Sequence, residues 1–121
     1  MAERLPPEVE SKLSRLQALQ AQYARIAQER TAVESEIAEV DRILNILGEV
    51  EDKYVYRAVA GILVKVEKEK IVNELNDKKE LLQLRLQKLK KQEEALKKQI
   101  EELAKQIQKL RGIVGKPGGA G

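Results

Sequence analysis

The chain contains no cysteine and no histidine, and these two absences exclude several kinds of chemistry at once. Without them the protein has no thiolate nucleophile, no disulfide framework, no imidazole base and none of the usual zinc ligand sets. The sequence also lacks a phosphate-binding loop of the form GxxxxGK followed by Ser or Thr, and it presents no convincing catalytic set. We therefore expect a protein that is not an enzyme and that requires neither a cofactor nor a metal ion.

Aromatic residues and long apolar runs are also scarce. Phe and Trp are absent, and aromatic residues make up 2% of the chain whereas charged residues make up 36%. The apolar residues are mostly Leu, Ile, Val and Ala set among Glu, Lys and Gln, a bias typical of long helices and coiled coils. No apolar run approaches the ~20 residues that span a bilayer, and the first residues, MAERLPPEVE, lack the apolar core of a signal peptide. We therefore expect a cytoplasmic protein that buries apolar stripes.

Charges of both signs are interleaved along the chain, with 23 basic and 20 acidic residues and a net charge of +3. The densest basic run, residues 88–98, is interrupted by Glu93 and Glu94 and contains no aromatic residue on which a base could stack. A solvated helix face therefore explains this run better than a nucleic-acid site does.

From Leu16 to Leu47, apolar residues recur at alternating steps of three and four, the spacing of the a and d positions of a coiled coil. Val9 and Leu13 extend this pattern toward the N-terminus, with one compressed step between Leu16 and Leu19. Two prolines followed by Glu8 signal the start of this helix, and Gly48 signals its end, so the predicted helix spans about residues 7–47. Arg30 occupies one position of the seam. The apolar seam consists of Val9, Leu13, Leu16, Leu19, Tyr23, Ile26, Val33, Ile37, Val40, Leu44 and Leu47.

A second helix, predicted over about residues 67–112, repeats this pattern with greater regularity. Only Lys79 and Glu93 interrupt it, and Gly112 indicates its end. The segment GKPGGAG, residues 115–121, is so rich in Gly and Pro that we expect a flexible tail. The apolar seam consists of Val72, Leu75, Leu82, Leu86, Leu89, Leu96, Ile100, Leu103, Ile107, Leu110 and Val114.

The two seams match when the helices run antiparallel. Pairing Leu47 with Val72 keeps the register closed along the whole length of both helices. This register brings the two charges in the seams near each other, and it predicts an interhelical ion pair between Arg30 and Glu93 that fixes the register. The alternative is that both side chains extend separately to water.

Between the helices lies YVYRAVAGILVKV, residues 54–66, which has the composition of β-strands. Polar segments bound it on both sides, and Ala60 and Gly61 provide the turn, so we predict a β-hairpin over about residues 53–66.

Two loops are compatible with this hairpin. A three-residue loop, residues 59–61, pairs Ala58 with Ile62 and places Gly61 in the left-handed region. One face then carries Tyr54, Tyr56, Ala58, Ile62, Val64 and Val66. A two-residue loop at Ala60 and Gly61 mixes the faces, and joins Val55, Arg57 and Val59 to Ile62, Val64 and Val66. We favour the three-residue loop.

An isolated hairpin of this kind is marginally stable in water, and its two edges are unpaired. A two-helix coiled coil has no surface broad enough to cover it. We therefore predict that the hairpin is an assembly element that shares a sheet or barrel with other subunits. The predicted assembly residues are Tyr54, Tyr56, Ala58, Gly61, Ile62, Val64 and Val66.

The segment VYRAVAGILVKVEKEKIVNEL, residues 55–75, resembles the hairpin and the start of the second helix of archaeal prefoldin beta subunits. The resemblance in layout extends over most of the chain and includes a basic, Gln-rich second helix with the segment LQLRLQKLKKQEEAL. A chain of this length with a single hairpin resembles the beta type of subunit, because alpha-type subunits carry two hairpins.

The resemblance implies a mainly α fold, in which a long antiparallel two-helix coiled coil is joined by one β-hairpin that assembles with other subunits into a β-barrel. Residues 1–121 would form a single domain of a hexamer with two alpha-type and four beta-type subunits. Such assemblies are ATP-independent holdases, which capture unfolded proteins at the coiled-coil tips and deliver them to a group II chaperonin.

The antiparallel register gathers apolar residues where the open ends of the two helices coincide. Coiled-coil ends fray, and a nonpolar client segment gains about 25 cal/mol per Å² buried. Four of these residues, Val9, Leu13, Ile107 and Leu110, have an alternative role, because they also close the seam. The predicted client-binding residues are Leu5, Val9, Leu13, Ile107, Leu110, Ile113 and Val114.

Two other classes of function remain open. A structural coiled-coil adaptor would assemble through the hairpin and bury its helix ends permanently in a partner helix. A nucleic-acid-binding protein would show affinity that falls steeply with salt, and the mixed charges make it the least favoured.

Overall fold

The computed structural model describes residues 5–115, with side chains up to Gly112. The elements follow the order α1 (Pro7–Glu49), β1 (Tyr54–Val59), β2 (Ile62–Glu67) and α2 (Lys68–Gly115). The predicted mainly α fold, with two long helices joined by one antiparallel hairpin, is confirmed. The tail predicted at the C-terminal end lies outside the described residues, apart from Gly115, which ends α2.

Both helices run slightly past the glycines that were expected to end them. Helix α1 begins at Pro7 and ends at Glu49, so it includes Gly48, and α2 includes Gly112 and ends at Gly115. A glycine inside a helix costs only about 1 kcal/mol relative to alanine. One glycine near a helix end therefore does not stop the helix by itself.

The described residues form two compact units, each containing a part of both helices. The terminal unit comprises residues 5–29 and 89–115, and the hairpin unit comprises residues 30–88. No helix in the described part of the chain has the length and apolar character of a membrane span.

The core of the terminal unit is the predicted seam. Val9 is only 1% exposed, and each of the other buried apolar residues also occupies a seam position. Lys12 Nζ donates a hydrogen bond to Gln106 Oε1 at 2.8 Å, which joins the two helices. This bond agrees with the predicted register, in which Leu13 and Gln106 face each other. The other buried residues of the unit are Ile26, Leu89, Leu96, Leu103 and Ile107.

The hairpin unit has a similar seam, with Val33, Val40 and Leu47 buried. Lys79 occupies the seam position that the predicted register places opposite Val40. Its Nζ lies 2.6 Å from Asp41 Oδ1, and both side chains retain partial exposure. The lysine charge is therefore paired at the margin of the seam rather than buried alone.

The seam charge Arg30 has an ion pair within α1. Its Nη1 donates to Glu34 Oε1 at 2.7 Å, across one helical turn. Arg30 and Glu93 are both half-buried, and the interhelical pair between them stays a prediction.

The hairpin has a two-residue loop, so the favoured three-residue loop is wrong. Val59 pairs with Ile62, instead of Ala58 with Ile62. Ala60 and Gly61 both have positive φ, at 48° and 80°, as a type I′ turn requires. The backbone twist of this turn matches the right-handed twist of the flanking strands, and this match favours the two-residue loop.

This register divides the predicted assembly residues between two faces instead of placing them on one. A one-residue shift in pairing moves every side chain of a strand to the opposite face. The valine face carries Val55, Arg57, Val59, Ile62, Val64 and Val66, and the tyrosine face carries Tyr54, Tyr56, Ala58, Leu63, Lys65 and Glu67.

Candidate interaction surfaces

The base of the hairpin is attached to the start of α2 by two hydrogen bonds. The backbone N–H of Lys68 donates to the carbonyl oxygen of Lys53 at 2.8 Å. The side chain of the same lysine donates from Nζ to the carbonyl oxygen of Val50 at 2.6 Å. The strands therefore leave the helices from a defined position.

A third contact joins strand β1 to α2 farther along. Arg57 Nη2 donates to Glu74 Oε2, and both side chains are about half exposed. The hydrogen bond from Arg57 has the largest effect on the Glu74 carboxyl and lowers its pKa. Desolvation opposes this effect, and the charges of Arg57 and Lys70 lower the pKa further. Arg57 belongs to the valine face, so the middle of this face contacts the first part of α2.

Most large apolar side chains of the hairpin are exposed. Tyr56, Ile62 and Leu63 are each at least 66% exposed, and Val55 and Val66, close to the hairpin base, are half-buried. These exposed apolar residues are divided between both faces of the hairpin, and exposed apolar surface is typical of sites that contact another molecule. The remaining exposed members are Tyr54, Val59 and Val64.

Lysine side chains border the tyrosine face. Lys65 Nζ lies 4.5 Å from the centre of the Tyr54 ring, and Lys53 Nζ lies 5.9 Å from it. Cation–π contacts of this type orient the ring and place positive charge beside it. The tyrosine face therefore combines apolar surface with positive charge.

The edges of the hairpin offer backbone hydrogen-bonding groups. In an antiparallel pair, hydrogen-bonded and non-hydrogen-bonded pairs alternate, and a two-residue loop is flanked by a hydrogen-bonded pair, here Val59 and Ile62. It follows that Tyr54, Tyr56 and Ala58 direct their N–H and C=O groups to the outer edge of β1. The corresponding residues of β2 are Leu63, Lys65 and Glu67.

The terminal unit brings together four of the predicted client-binding residues in its seam. Val9 and Ile107 are buried, at 1% and 5% exposed, and Leu13 and Leu110 are half-buried. Leu5 is also half-buried, before the start of α1. The side chains of Ile113 and Val114 lie outside the described residues. Client binding at this end stays a prediction.

Beside this seam lies a groove that the sequence pattern did not indicate. Its volume is about 470 Å³, and the seam residues Leu19 and Leu103 contribute to its lining. The other lining residues are polar or charged: Glu8, Ser11, Lys12, Arg15, Gln99, Glu102 and Gln106. This side of the terminal unit is therefore better suited to polar contacts than to apolar ones.

Three exposed apolar residues on the helices were also missed. Leu81 and Leu84 of α2 are 68% and 58% exposed, and Ile46 of α1 is 56% exposed. All three lie in the hairpin unit and outside the seam. A count of apolar residues at positions other than a and d would have found them.

The comparisons with known proteins agree with each other. The model of a family described as "Prefoldin subunit" matches residues 10–112. A prefoldin subunit beta from Saccharolobus islandicus is 42% identical over 94 residues, which cover 77% of this chain and 75% of the relative. One from Sulfurisphaera tokodaii is 43% identical over 94 residues, with the same coverage.

The solved structures include a similar chain as well. The crystal structure of the prefoldin beta subunit from Thermococcus strain KS-1 superimposes with a TM-score of 0.81 at 32% sequence identity. The match covers 96% of this chain and 100% of that chain.

Proposed function

Because the chain belongs to the prefoldin family, we propose that it is a beta-type subunit of a prefoldin chaperone and assembles with other subunits through its β-hairpin. The exposed apolar surface of the hairpin is the observation that carries this proposal. Two strands alone leave both edges open to water, and pairing with other hairpins removes this disadvantage.

The assembly that we propose is a cytoplasmic hexamer with two alpha-type and four beta-type subunits. Each hairpin adds its outer edges to neighbouring hairpins, and closure of the resulting sheet into a barrel leaves no free edge. The apolar side chains of the valine and tyrosine faces are then covered by other subunits instead of by the helices of the same chain.

The function of this assembly is to hold unfolded proteins without ATP and to deliver them to a group II chaperonin. Clients bind at the free ends of the helices, with Leu5, Ile113 and Val114 as the first contacts. When the ends of the coiled coil fray, the seam residues add apolar area for the client. Each contact is weak, and several subunits acting together supply the affinity.

The test measures aggregation of a denatured model protein without ATP, in the presence of this chain and an alpha-type subunit. We expect the intact assembly to suppress aggregation. Removal of residues 1–8 and 112–121 is expected to abolish suppression without changing the size of the assembly. A matched variant, Gln108→Ala, changes an exposed side chain of the same end outside the seam and should protect as well as the intact chain.

Two outcomes would contradict the proposal. If the truncated assembly protects fully, clients bind elsewhere on the assembly. If the intact assembly has the expected size but protects nothing, the chain is a structural adaptor, and a fixed partner helix at the helix ends becomes the alternative to examine.

A further inference from the structure

We propose that Leu81 and Leu84 form a second assembly surface, which binds the turn of the hairpin of a second copy of this chain. The inference rests on the proposed function, in which the hairpin is the assembly element. It adds a surface of α2 as the partner of that hairpin.

The two leucines are not needed to join the helices. The seam residues Leu82 and Leu86 are half-buried, whereas Leu81 and Leu84 are mostly exposed. At about 100° per residue, Leu81 lies about 100° from Leu82 around the helix, and Leu84 lies farther round on the same side. Their apolar surface is therefore available to another molecule.

The side of α2 that carries Leu81 already contacts a strand. Leu81 follows Glu74 by seven residues, so both lie on the same side of the helix, about 10 Å apart. Glu74 accepts a hydrogen bond from Arg57 of β1 in the same chain. The proposed surface therefore continues, by two turns of helix, a side of α2 that binds the valine face of a hairpin.

The hairpin of the same chain leaves these leucines uncovered. With Arg57 bound to Glu74, Val59 and Ile62 stay 49% and 66% exposed, and Leu81 stays 68% exposed. Apolar groups are thus exposed on both the turn and the helix. Contact between two copies covers both sets at once.

The shape of the turn suits this contact. Its two loop residues, Ala60 and Gly61, have small side chains or none, so the end of the hairpin can approach a helix closely. Val59 and Ile62 flank the turn on the valine face. They supply the apolar contacts to Leu81 and Leu84 of the neighbouring copy.

The absence of cysteine permits a direct test by disulfide cross-linking. A chain with Leu81→Cys is mixed with a chain carrying Ile62→Cys, with and without an alpha-type subunit, and exposed to a mild oxidant. We expect the mixed disulfide to form at least fivefold faster than in the matched mixture with Gln83→Cys. Gln83 is also exposed, but it lies on the opposite side of the helix from Leu81.

A second measurement uses sedimentation of the assembly over a range of concentrations. The double variant Leu81→Gln, Leu84→Gln keeps good helix formers at both positions. We expect it to dissociate at about tenfold higher concentration than the unmodified chain. Gln83→Ala combined with Gln87→Ala changes two exposed residues of the same helix and should not change dissociation.

The outcomes separate this inference from the proposed function. If assembly has its normal size but position 81 cross-links no faster than position 83, the leucine surface is wrong and the hairpin assembly stands. If a single chain that carries both Leu81→Cys and Ile62→Cys forms the disulfide within itself while the mixture of singly substituted chains forms none, the occupant is the chain's own hairpin. If the unmodified chain stays monomeric under every condition, with or without an alpha-type subunit, both proposals are wrong.

Discussion

At the scale of single residues, Ala60 is the one non-glycine residue with positive φ in the described part of the chain. Its φ of 48° lies in the left-handed region, which costs a residue other than glycine roughly 1–2 kcal/mol. A type I′ turn requires positive φ at both loop positions, and Asn followed by Gly is the preferred pair. The hairpin therefore retains an avoidable cost at this position.

Replacing this alanine should stabilise the hairpin. We expect Ala60→Asn to raise the free energy of unfolding by about 1 kcal/mol, because Asn tolerates the left-handed region better than Ala does. Thermal unfolding of the whole chain measures the effect. Gly61→Ala is the opposite control, since its φ of 80° is unfavourable for alanine although no atom lies within 4 Å of the added Cβ. If Ala60→Asn destabilises the chain, the turn is not type I′.

At the scale of the elements, the helices are joined by an apolar seam whose charges lie at its margin. Lys79 replaces an apolar residue in the seam of α2, and its ion pair with Asp41 of α1 spans the two helices. Partly exposed ion pairs contribute little to stability, but a polar residue in a seam can select one register over others. The ion pair between Lys79 and Asp41 is therefore better explained by selection of the helix register than by a contribution to the free energy of unfolding.

The variant Lys79→Leu separates these two roles. We expect it to raise the free energy of unfolding by about 1 kcal/mol through apolar burial in the seam. The measurement is chemical denaturation, with Lys78→Leu as the matched control, because Lys78 is exposed and its replacement buries little. A loss of stability in Lys79→Leu, with no loss in the control, would show that the ion pair itself stabilises the helices.

At the scale of the whole molecule, the buried and the exposed apolar residues lie in different parts of the chain. The buried ones lie in the helix seams, whereas the exposed ones identified within residues 5–112 all belong to the hairpin unit. A chain that assembled only through its helices would not need such an exposed hairpin. The distribution supports assembly through the strands.

Assembly through strand edges predicts a specific effect of proline. The N–H of Ala58 points to the outer edge of β1 and not to β2, so Ala58→Pro leaves the hydrogen bonds inside the hairpin intact. We expect this variant to keep the fold of the monomer while the assembly, followed by sedimentation, weakens at least tenfold. Ala58→Val, which retains the N–H, should assemble normally. If Ala58→Pro assembles as well as the unmodified chain, the contacts are made by the faces and not by the edge of β1.

The candidate surfaces were only partly predictable. The composition of residues 54–66 predicted an exposed hairpin that assembles with partners, because no other part of the chain could cover it. The exposure is confirmed, and the assembly stays a prediction. The identity of each face depended on the loop, and a choice between two and three loop residues reversed the positions of Tyr54 and Val55. The periodicity of the seam does not indicate Leu81 and Leu84, because both leucines lie outside its a and d positions.

The sequence by itself determined the two helices, the positions of the seam, the presence of a hairpin and the resemblance to prefoldins. These features follow from patterns repeated over many residues, so their prediction does not depend on any single position. Only the tertiary structure decided the two-residue length of the loop, the pairing of Lys79 with Asp41, and the exposure of Leu81. Each of these depends on a few dihedral angles or on neighbours distant in the chain, and composition and periodicity do not specify them.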